Sequence, residues 1–327
     1  MINRIVIIGA GGIGSRHLQA LSKMNNPMII QVVDPSQEAI TKAKKIIENE
    51  PSSQVKNIAY YPNMESLSKD IDVAIIAVTS GIRRKVTEEL LSISNVKNII
   101  FEKVLFTKIE DYYIIQQLLI EKNIHAWVNC ARRSWEFYRA LRMLFSDANY
   151  IYITVSGKDW GLGCNSIHYL DLLAYCSGDI KEINIDISHL DKEITHSKRS
   201  NYVEFTGTLK GTMGPNNFTL ISTVADSESK IIIESDICKC IIYETVPIGT
   251  AKISKKNIDG NWYEDKVEFP IQYQSGLTNL VVQDILNTGD CILTPYNDSL
   301  LLHIPMINAF LSKLKYESGP TDICNIT

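Results

Sequence analysis

Gly9-Ala10-Gly11-Gly12-Ile13-Gly14 follows the apolar run Ile5–Ile8 without a break and leads directly into a stretch of helical character. Strand, glycine turn and helix N-terminus in that order open the kind of βαβ unit that binds a dinucleotide. Gly9 allows the tight turn, Gly11 lets backbone amides approach a pyrophosphate, and Gly14 permits close packing of helix on strand. Gly12 and Ile13 complete the loop, and the phosphates sit at the helix N-terminus. Asp34 closes the next β-branched run, Gln31-Val32-Val33-Asp34, twenty residues beyond Gly14. A carboxylate there accepts hydrogen bonds from the adenosine ribose. It also disfavours a 2′-phosphate, and no Arg follows in Pro35-Ser36-Gln37. The expected cofactor is therefore NAD rather than NADP.

Outward from this loop the pattern repeats. The runs Ile5–Ile8, Ile29–Val33, Asn57–Tyr61, Val73–Val78, Ile99–Phe101 and Ala126–Val128 are almost continuously apolar, as strands covered on both faces of a parallel sheet must be. Between them Ser36–Glu48, Ile82–Ser92 and Ile109–Lys122 read as helices, the second with Ile82, Val86 and Leu90 at helical spacing for packing on the sheet. After about residue 130 the rhythm changes. Arg133–Phe145 and Asn165–Tyr175 read as helices around a strand at Tyr150–Val155. From Ile183 to Gln272 the chain is mainly extended, with β-branched runs at Ile183–Ile187, Val203–Leu209, Phe218–Val224, Lys230–Glu234 and Cys240–Tyr243. Two closing helices are expected at Leu277–Leu286 and Ser299–Leu314. The fold class is thus α/β: a Rossmann parallel sheet over residues 1–126, then an α+β domain over 127–327 with a large, mostly antiparallel open sheet.

Composition narrows the partners. A chain of 327 residues suits two domains, and 45% hydrophobic with 21% charged residues is ordinary for a globular protein. A net charge of -4 offers no basic field for a phosphate backbone, so no nucleic acid is expected and a small-molecule substrate is. The first apolar run is too short for an export signal, and no stretch approaches the roughly 20 apolar residues that span a bilayer, so a cytoplasmic protein without membrane association is expected. The seven cysteines are scattered. Cys238-Lys239-Cys240 has no second Cys or His pair at zinc-site spacing, and no metal is expected.

The loop with its continuation Ser15-Arg16-His17, together with Glu102-Lys103 after the fifth strand, resembles the Gfo/Idh/MocA oxidoreductases, relatives of glucose–fructose oxidoreductase and inositol dehydrogenase. The resemblance covers nearly the whole chain in order of elements and is clearest in the first 180 residues. It implies that Lys103 lies beside the nicotinamide and the reacting sugar carbon, and that Thr79 and Glu102 belong to the cofactor site. His17 is implied to pack behind the loop. Val104 stands where the family has a proline associated with a cis peptide, so the backbone there is expected to differ.

The second matching cluster is Gly163-Cys164-Asn165-Ser166-Ile167-His168-Tyr169-Leu170-Asp171. On a helix, Cys164, His168 and Asp171 share one side. The resemblance implies that His168 moves the substrate proton. Cys164 occupies the position of a family Asp, leaving Asn165 or Asp171 to take over part of its role. Arg132 and Arg133 offer guanidinium forks for substrate hydroxyls, a carboxylate or a phosphate, and Trp160 a face for a sugar or an anchor for its loop. The expected reaction is hydride transfer between NAD and a secondary alcohol or ketone of a sugar, cyclitol or sugar derivative. NAD-dependent glycoside cleavage, imine or double-bond reduction and a regulator that senses dinucleotide without chemistry remain alternatives. The extended region, if it forms an open sheet, is expected to cover its outer face in a homodimer or homotetramer.

Overall fold

Val6 and Ile7 are fully buried, one on each face of the first strand, which is what places that strand in the middle of a sheet. In a computed structural model that describes residues 2–25, 27–51, 57–257 and 259–327, the chain folds as two units. The first comprises Met1–Phe106, Glu110–Ser134 and Gln272–Asn297.

Its strands are β1 (Asn3–Ile8), β2 (Met28–Val33), β3 (Ile58–Tyr61), β4 (Asp70–Ile76), β5 (Asn95–Phe101) and β6 (His125–Val128). They lie in the order β6-β5-β4-β1-β2-β3, all parallel, and a two-residue strand, Thr294–Pro295, adds antiparallel to β6. The crossovers are α1 (Gly12–Leu21), α2 (Gln37–Glu48), α3 (Ser80–Ile93) and α4 (Ile109–Glu121). The strand order reverses between β1 and β4, and the crevice at their carboxyl ends is where doubly wound folds bind ligands.

Two expectations need correcting here. The helix Thr278–Thr288 returns to this unit, burying Val281, Val282 and Ile285 against Ile5, Leu18, Ile30 and Trp127. A single boundary after residue 126 therefore misplaces this segment and β6, because membership follows the shared apolar core. The phase of α3 also differs. Ile82 is 51% exposed and Val86 only half-buried, while Arg83, Thr87, Leu90 and Leu91 face inward. Arg83 tolerates burial because main-chain carbonyls satisfy it: its guanidinium donates to Val78 O (2.5 Å), Leu105 O (2.6 Å) and Val104 O.

The second unit comprises Thr107–Ile109, Trp135–Ile271 and Asp298–Thr327. It holds α5 (Glu136–Met143), β7 (Ile151–Lys158), α6 (Leu162–Ser177), β8 (Ile183–Asp186), the hairpin β9 (Thr195–His196) and β10 (Val203–Glu204), then β11 (Gly207–Met213), β12 (Asn216–Thr223), β13 (Lys230–Ser235), β14 (Cys238–Tyr243), β15 (Ile248–Lys256) and β16 (Trp262–Pro270). The main sheet runs β16-β15-β14-β13-β7-β12-β11-β8 and is antiparallel except for β7 beside β12. Ile153, Val155, Phe218 and Leu220 on one face are buried, and α6 packs across β7 and β12.

The run Val203–Leu209 is split between β10 and β11, and β15 and β16 form within the extended region but beyond its last β-branched run at Cys240–Tyr243. Edge strand β16 is exposed at eight of its nine positions and carries charges that pair across the strands, such as Lys252 with Glu264 at 2.7 Å. Among the described residues no helix is long and apolar enough to cross a membrane.

Candidate functional site

The glycine loop adopts the geometry its sequence requires. Gly9 has φ +100°, a conformation that costs glycine little. A Cβ on Gly14 would lie 1.8 Å from the Gly9 carbonyl oxygen, so α1 can approach the turn this closely only with glycine there. Around Gly11 and Gly12, by contrast, an added Cβ meets nothing within 4 Å, and no side chain caps the N-terminus of α1. The start of α1 thus presents a helix N-terminus to open space with no acidic residue in its first turn. That suits a pyrophosphate.

Asp34 stands beside the loop at the end of β2. Its Oδ2 accepts from the Ala10 amide at 2.7 Å and its Oδ1 from the Ser36 amide at 2.8 Å, so the carboxylate ties the glycine turn to the start of α2. Each oxygen keeps a lone pair for a ribose hydroxyl. Substituting Asp34 by Ala should therefore weaken dinucleotide binding by about tenfold or more. It should also lower the preference for NAD over NADP, as equilibrium titration of both cofactors would show. Unchanged affinities for both would remove Asp34 from the site.

Thr79 occupies the N-cap position of α3, half-buried, with no side-chain cap bond. Arg83 bonds both to the loop that carries Thr79 and to the Val104–Leu105 backbone, bracing two loops at the carboxyl edge of the sheet.

Glu102 comes directly after β5 with 7% exposure, and half-buried Lys103 follows it. The Lys103–Val104 peptide is cis, so the expected departure of the backbone at Val104 does not occur. Glu102 Oε1 lies 3.0 Å from His17 Nε2 and accepts from Asn129 Nδ2 at 2.5 Å. Burial pushes the Glu102 carboxyl up, yet the His17 and Asn129 hydrogen bonds and the charge of Lys103 outweigh it and hold the group below the usual carboxylate range. His17 does pack behind the loop, at 1% exposure. Arg132 and Arg133 lie half-buried in a short 3-10 turn, Ala131–Ser134, just beyond β6, and the helix after it begins only at Glu136.

In the second unit α6 exposes little of itself. Cys164, Asn165, His168 and the terminal Ser177 are its half-buried positions, whereas Asp171, on the same side as His168, is only 1% exposed. The helix starts after Gly161, which has no side chain to cap it. The Glu204 carboxylate on β10 supplies the cap, accepting from the Gly163 amide at 2.7 Å and the Cys164 amide at 3.2 Å. Asn165 Nδ2 donates to the Trp160 carbonyl at 2.7 Å. Trp160 is anchored: its indole N–H donates to Ile221 O at 2.7 Å and its ring meets Tyr169 edge-on at 5.3 Å.

Cys238 and Cys240 share the buried face of β14. Burial lifts the Cys238 thiol to about 11 and Cys240 further, so both stay protonated. Among the described residues no group of three or more His, Cys, Asp or Glu is placed to hold a metal.

The first unit gathers Gly9–Gly14, Asp34, Thr79, Glu102, Lys103, Arg132 and Arg133 around the carboxyl ends of one parallel sheet. Trp160, Asn165, His168 and Asp171 lie on or just before α6 in the second unit. Sequence reasoning missed Arg83, Gln274, Thr278 and Glu204. Their roles come from partners remote in the chain, and no local pattern marks them.

Residues 3–130 match the family model described as an oxidoreductase family with an NAD-binding Rossmann fold, GFO_IDH_MocA. Among solved structures, the transcriptional regulator Gal80p from Kluyveromyces lactis is similar with a TM-score of 0.71 at 14% identity, over 97% of this chain and 93% of its own. UDP-N-acetylglucosamine 3-dehydrogenase GnnA from Acidithiobacillus ferrooxidans is similar at 0.68 and 14%, over 98% and 99%. KijD10, a 3-ketoreductase from Actinomadura kijaniata in complex with TDP-benzene and NADP, is similar at 0.69 and 10%, over 94% and 96%. At these identities the likeness is one of fold.

Proposed function

From an N-terminal domain that belongs to the Gfo/Idh/MocA oxidoreductase family, we propose that the chain transfers hydride between NAD and a secondary alcohol or ketone of a sugar, cyclitol or sugar derivative. The observation that carries this reading is the carboxyl edge of the first sheet, where an open glycine loop, Asp34 and the Glu102-Lys103 pair sit together. Gly11 to Gly14 would hold the pyrophosphate through backbone amides and Asp34 the adenosine ribose. Nicotinamide, when bound, supplies the site that takes or gives the hydride.

The protein's part is proton and charge management. Lys103 donates a hydrogen bond to the substrate oxygen and stabilises its oxyanion character as the C–H bond breaks. His168 takes the hydroxyl proton in oxidation and returns it in reduction. Arg132 and Arg133 serve a charged or nucleotide-linked sugar through their fixed donors. The similar GnnA bears a name that places its own chemistry on a nucleotide-linked sugar, and KijD10 one that makes it a 3-ketoreductase, which favours this substrate class. Titrating NADH fluorescence in the presence of sugars, sugar acids and nucleotide sugars tests the proposal. Saturable dinucleotide binding with oxidation by at least one ketone supports it, and failure to bind NADH or NADPH refutes it.

The similarity to a transcriptional regulator sustains a second reading, a dinucleotide sensor without chemistry. Full occupancy by NAD with no turnover across the same screen would select it.

We also propose that the chain is cytoplasmic and self-associates through the outer face of its eight-stranded sheet. Thr154, Thr219, Ile221, Ile232 and Ile241 remain only half-buried there, presenting β-branched side chains along one surface. Light scattering should give a multiple of 36.9 kDa, and a monomer mass would contradict it.

A further inference from the structure

Five side chains of the first unit close a ring of hydrogen bonds behind Lys103. Asn129 Nδ2 donates to Glu102 Oε1 at 2.5 Å and to Gln274 Oε1 at 2.9 Å. Gln274 Nε2 donates to Thr278 Oγ1 at 2.8 Å. Thr278 Oγ1 lies 2.8 Å from His17 Nδ1, and His17 Nε2 lies 3.0 Å from Glu102 Oε1. His17, Glu102, Asn129 and Thr278 are all at least nine-tenths buried, so water does not substitute for a missing partner. The ring joins α1, the ends of β5 and β6, and the segment that returns some 145 residues after Asn129.

The donors in this ring constrain one another. Both hydrogens of the Asn129 amide are used, one facing Gln274 Oε1, and this turns the Gln274 NH2 toward Thr278. Thr278 then accepts from Gln274. Its own hydroxyl proton can point to His17 Nδ1 at 2.8 Å or to Gln274 O at 3.3 Å. The shorter path makes His17 Nδ1 an acceptor and leaves the imidazole proton on Nε2, facing Glu102. Two donors thus converge on Oε1, and with the charge of Lys103 they favour the ionised carboxylate against the cost of its burial. Lys103 beside it adds a positive charge that favours the carboxylate, while Asn129, Gln274 and Thr278 bring neutral dipoles.

We propose that Thr278 and Gln274 are positioning residues of the cofactor site: by setting the His17 tautomer they hold an ionised carboxylate directly behind Lys103 as its counter-charge. This rests on the reading of Lys103 as the group that polarises the substrate oxygen. Thr278→Val keeps the shape and removes the hydroxyl, leaving a buried imidazole nitrogen without its donor, whereas Thr278→Ser restores the donor.

In spectra of the full-length protein labelled with 15N-histidine, with His17 assigned by its loss in His17→Gln, the parent and Thr278→Ser should show the proton on Nε2. Thr278→Val should show a different protonation pattern. For NADH oxidation, Thr278→Val should lower kcat on the order of tenfold while NADH affinity changes less than about twofold, and Thr278→Ser should recover most of the loss. An Nδ1 proton in the parent, a His17 signal indifferent to Thr278→Val, or equal kinetic losses in the Val and Ser variants would overturn the proposal. The NMR readout needs no substrate. A ring that behaves as described in a protein that reduces no ketone would fault the assigned reaction and leave the ring in place.

Discussion

Replacing His168 by Ala should cut turnover by about 10²–10⁴-fold, the usual worth of a placed proton-transfer group, and leave dinucleotide affinity within about twofold of the parent. The separation follows from where the residue sits. His168 belongs to the second unit, on one of the few half-buried positions of α6, whereas the glycine loop and Asp34 belong to the first. The helix that carries it starts against the Glu204 carboxylate, which satisfies two amides at its N-terminus and does not depend on the imidazole. Loss of the side chain should therefore leave α6 in place, and near-identical melting curves would confirm that. Lys103→Ala should lower turnover comparably, because a developing oxyanion loses its donor. Normal turnover by His168→Ala on a substrate that the parent reduces would remove His168 from the reaction.

Gly14→Ala should damage the first unit itself. Its new Cβ would sit 1.8 Å from the Gly9 carbonyl oxygen and 2.8 Å from the Gly9 carbonyl carbon, both main-chain atoms of a turn fixed on one side by the Gly9 amide bond to Val33 O. Either the turn or α1 must move, at a cost of about 1–3 kcal/mol, and the amides that face the phosphates move with it. Gly12→Ala is the control, since its Cβ enters open space in the protein and reaches only into the volume a pyrophosphate would take. Calorimetry with NADH titration should show Gly14→Ala losing both stability and binding, and Gly12→Ala losing binding alone. A Gly14→Ala protein that melts and binds like its parent would contradict the loop geometry.

The parts of the fold that were legible in the sequence are those set by local composition. Strands β1 to β6 are apolar on both faces, and the glycine loop and Asp34 are spaced by the βαβ unit itself, so both could be read in advance. What could not be read depends on partners elsewhere. Arg83 looks like a solvated cation until the Val104 and Leu105 carbonyls arrive to receive it, and its burial rotates Ile82 into solvent. The return of Gln272–Asn297 is decided by which core accepts Val281, Val282 and Ile285. Strand β16 carries Glu264, Asp265, Lys266 and Glu268 on an exposed edge, so hydrophobic periodicity gives no sign of it. Likewise the glycine at the start of α6 hides a cap that comes from Glu204, some forty residues on.

The central claim is hydride transfer, and isotope tracing tests it most directly. The protein would be incubated with NADH stereospecifically deuterated at C4 and a ketosugar identified by the fluorescence screen, and the product analysed by mass spectrometry. One deuterium on the carbon that becomes the secondary alcohol, absent with His168→Ala, is the predicted result. Saturable binding of NADH with no label passed to any carbonyl compound would contradict the claim and leave a dinucleotide sensor.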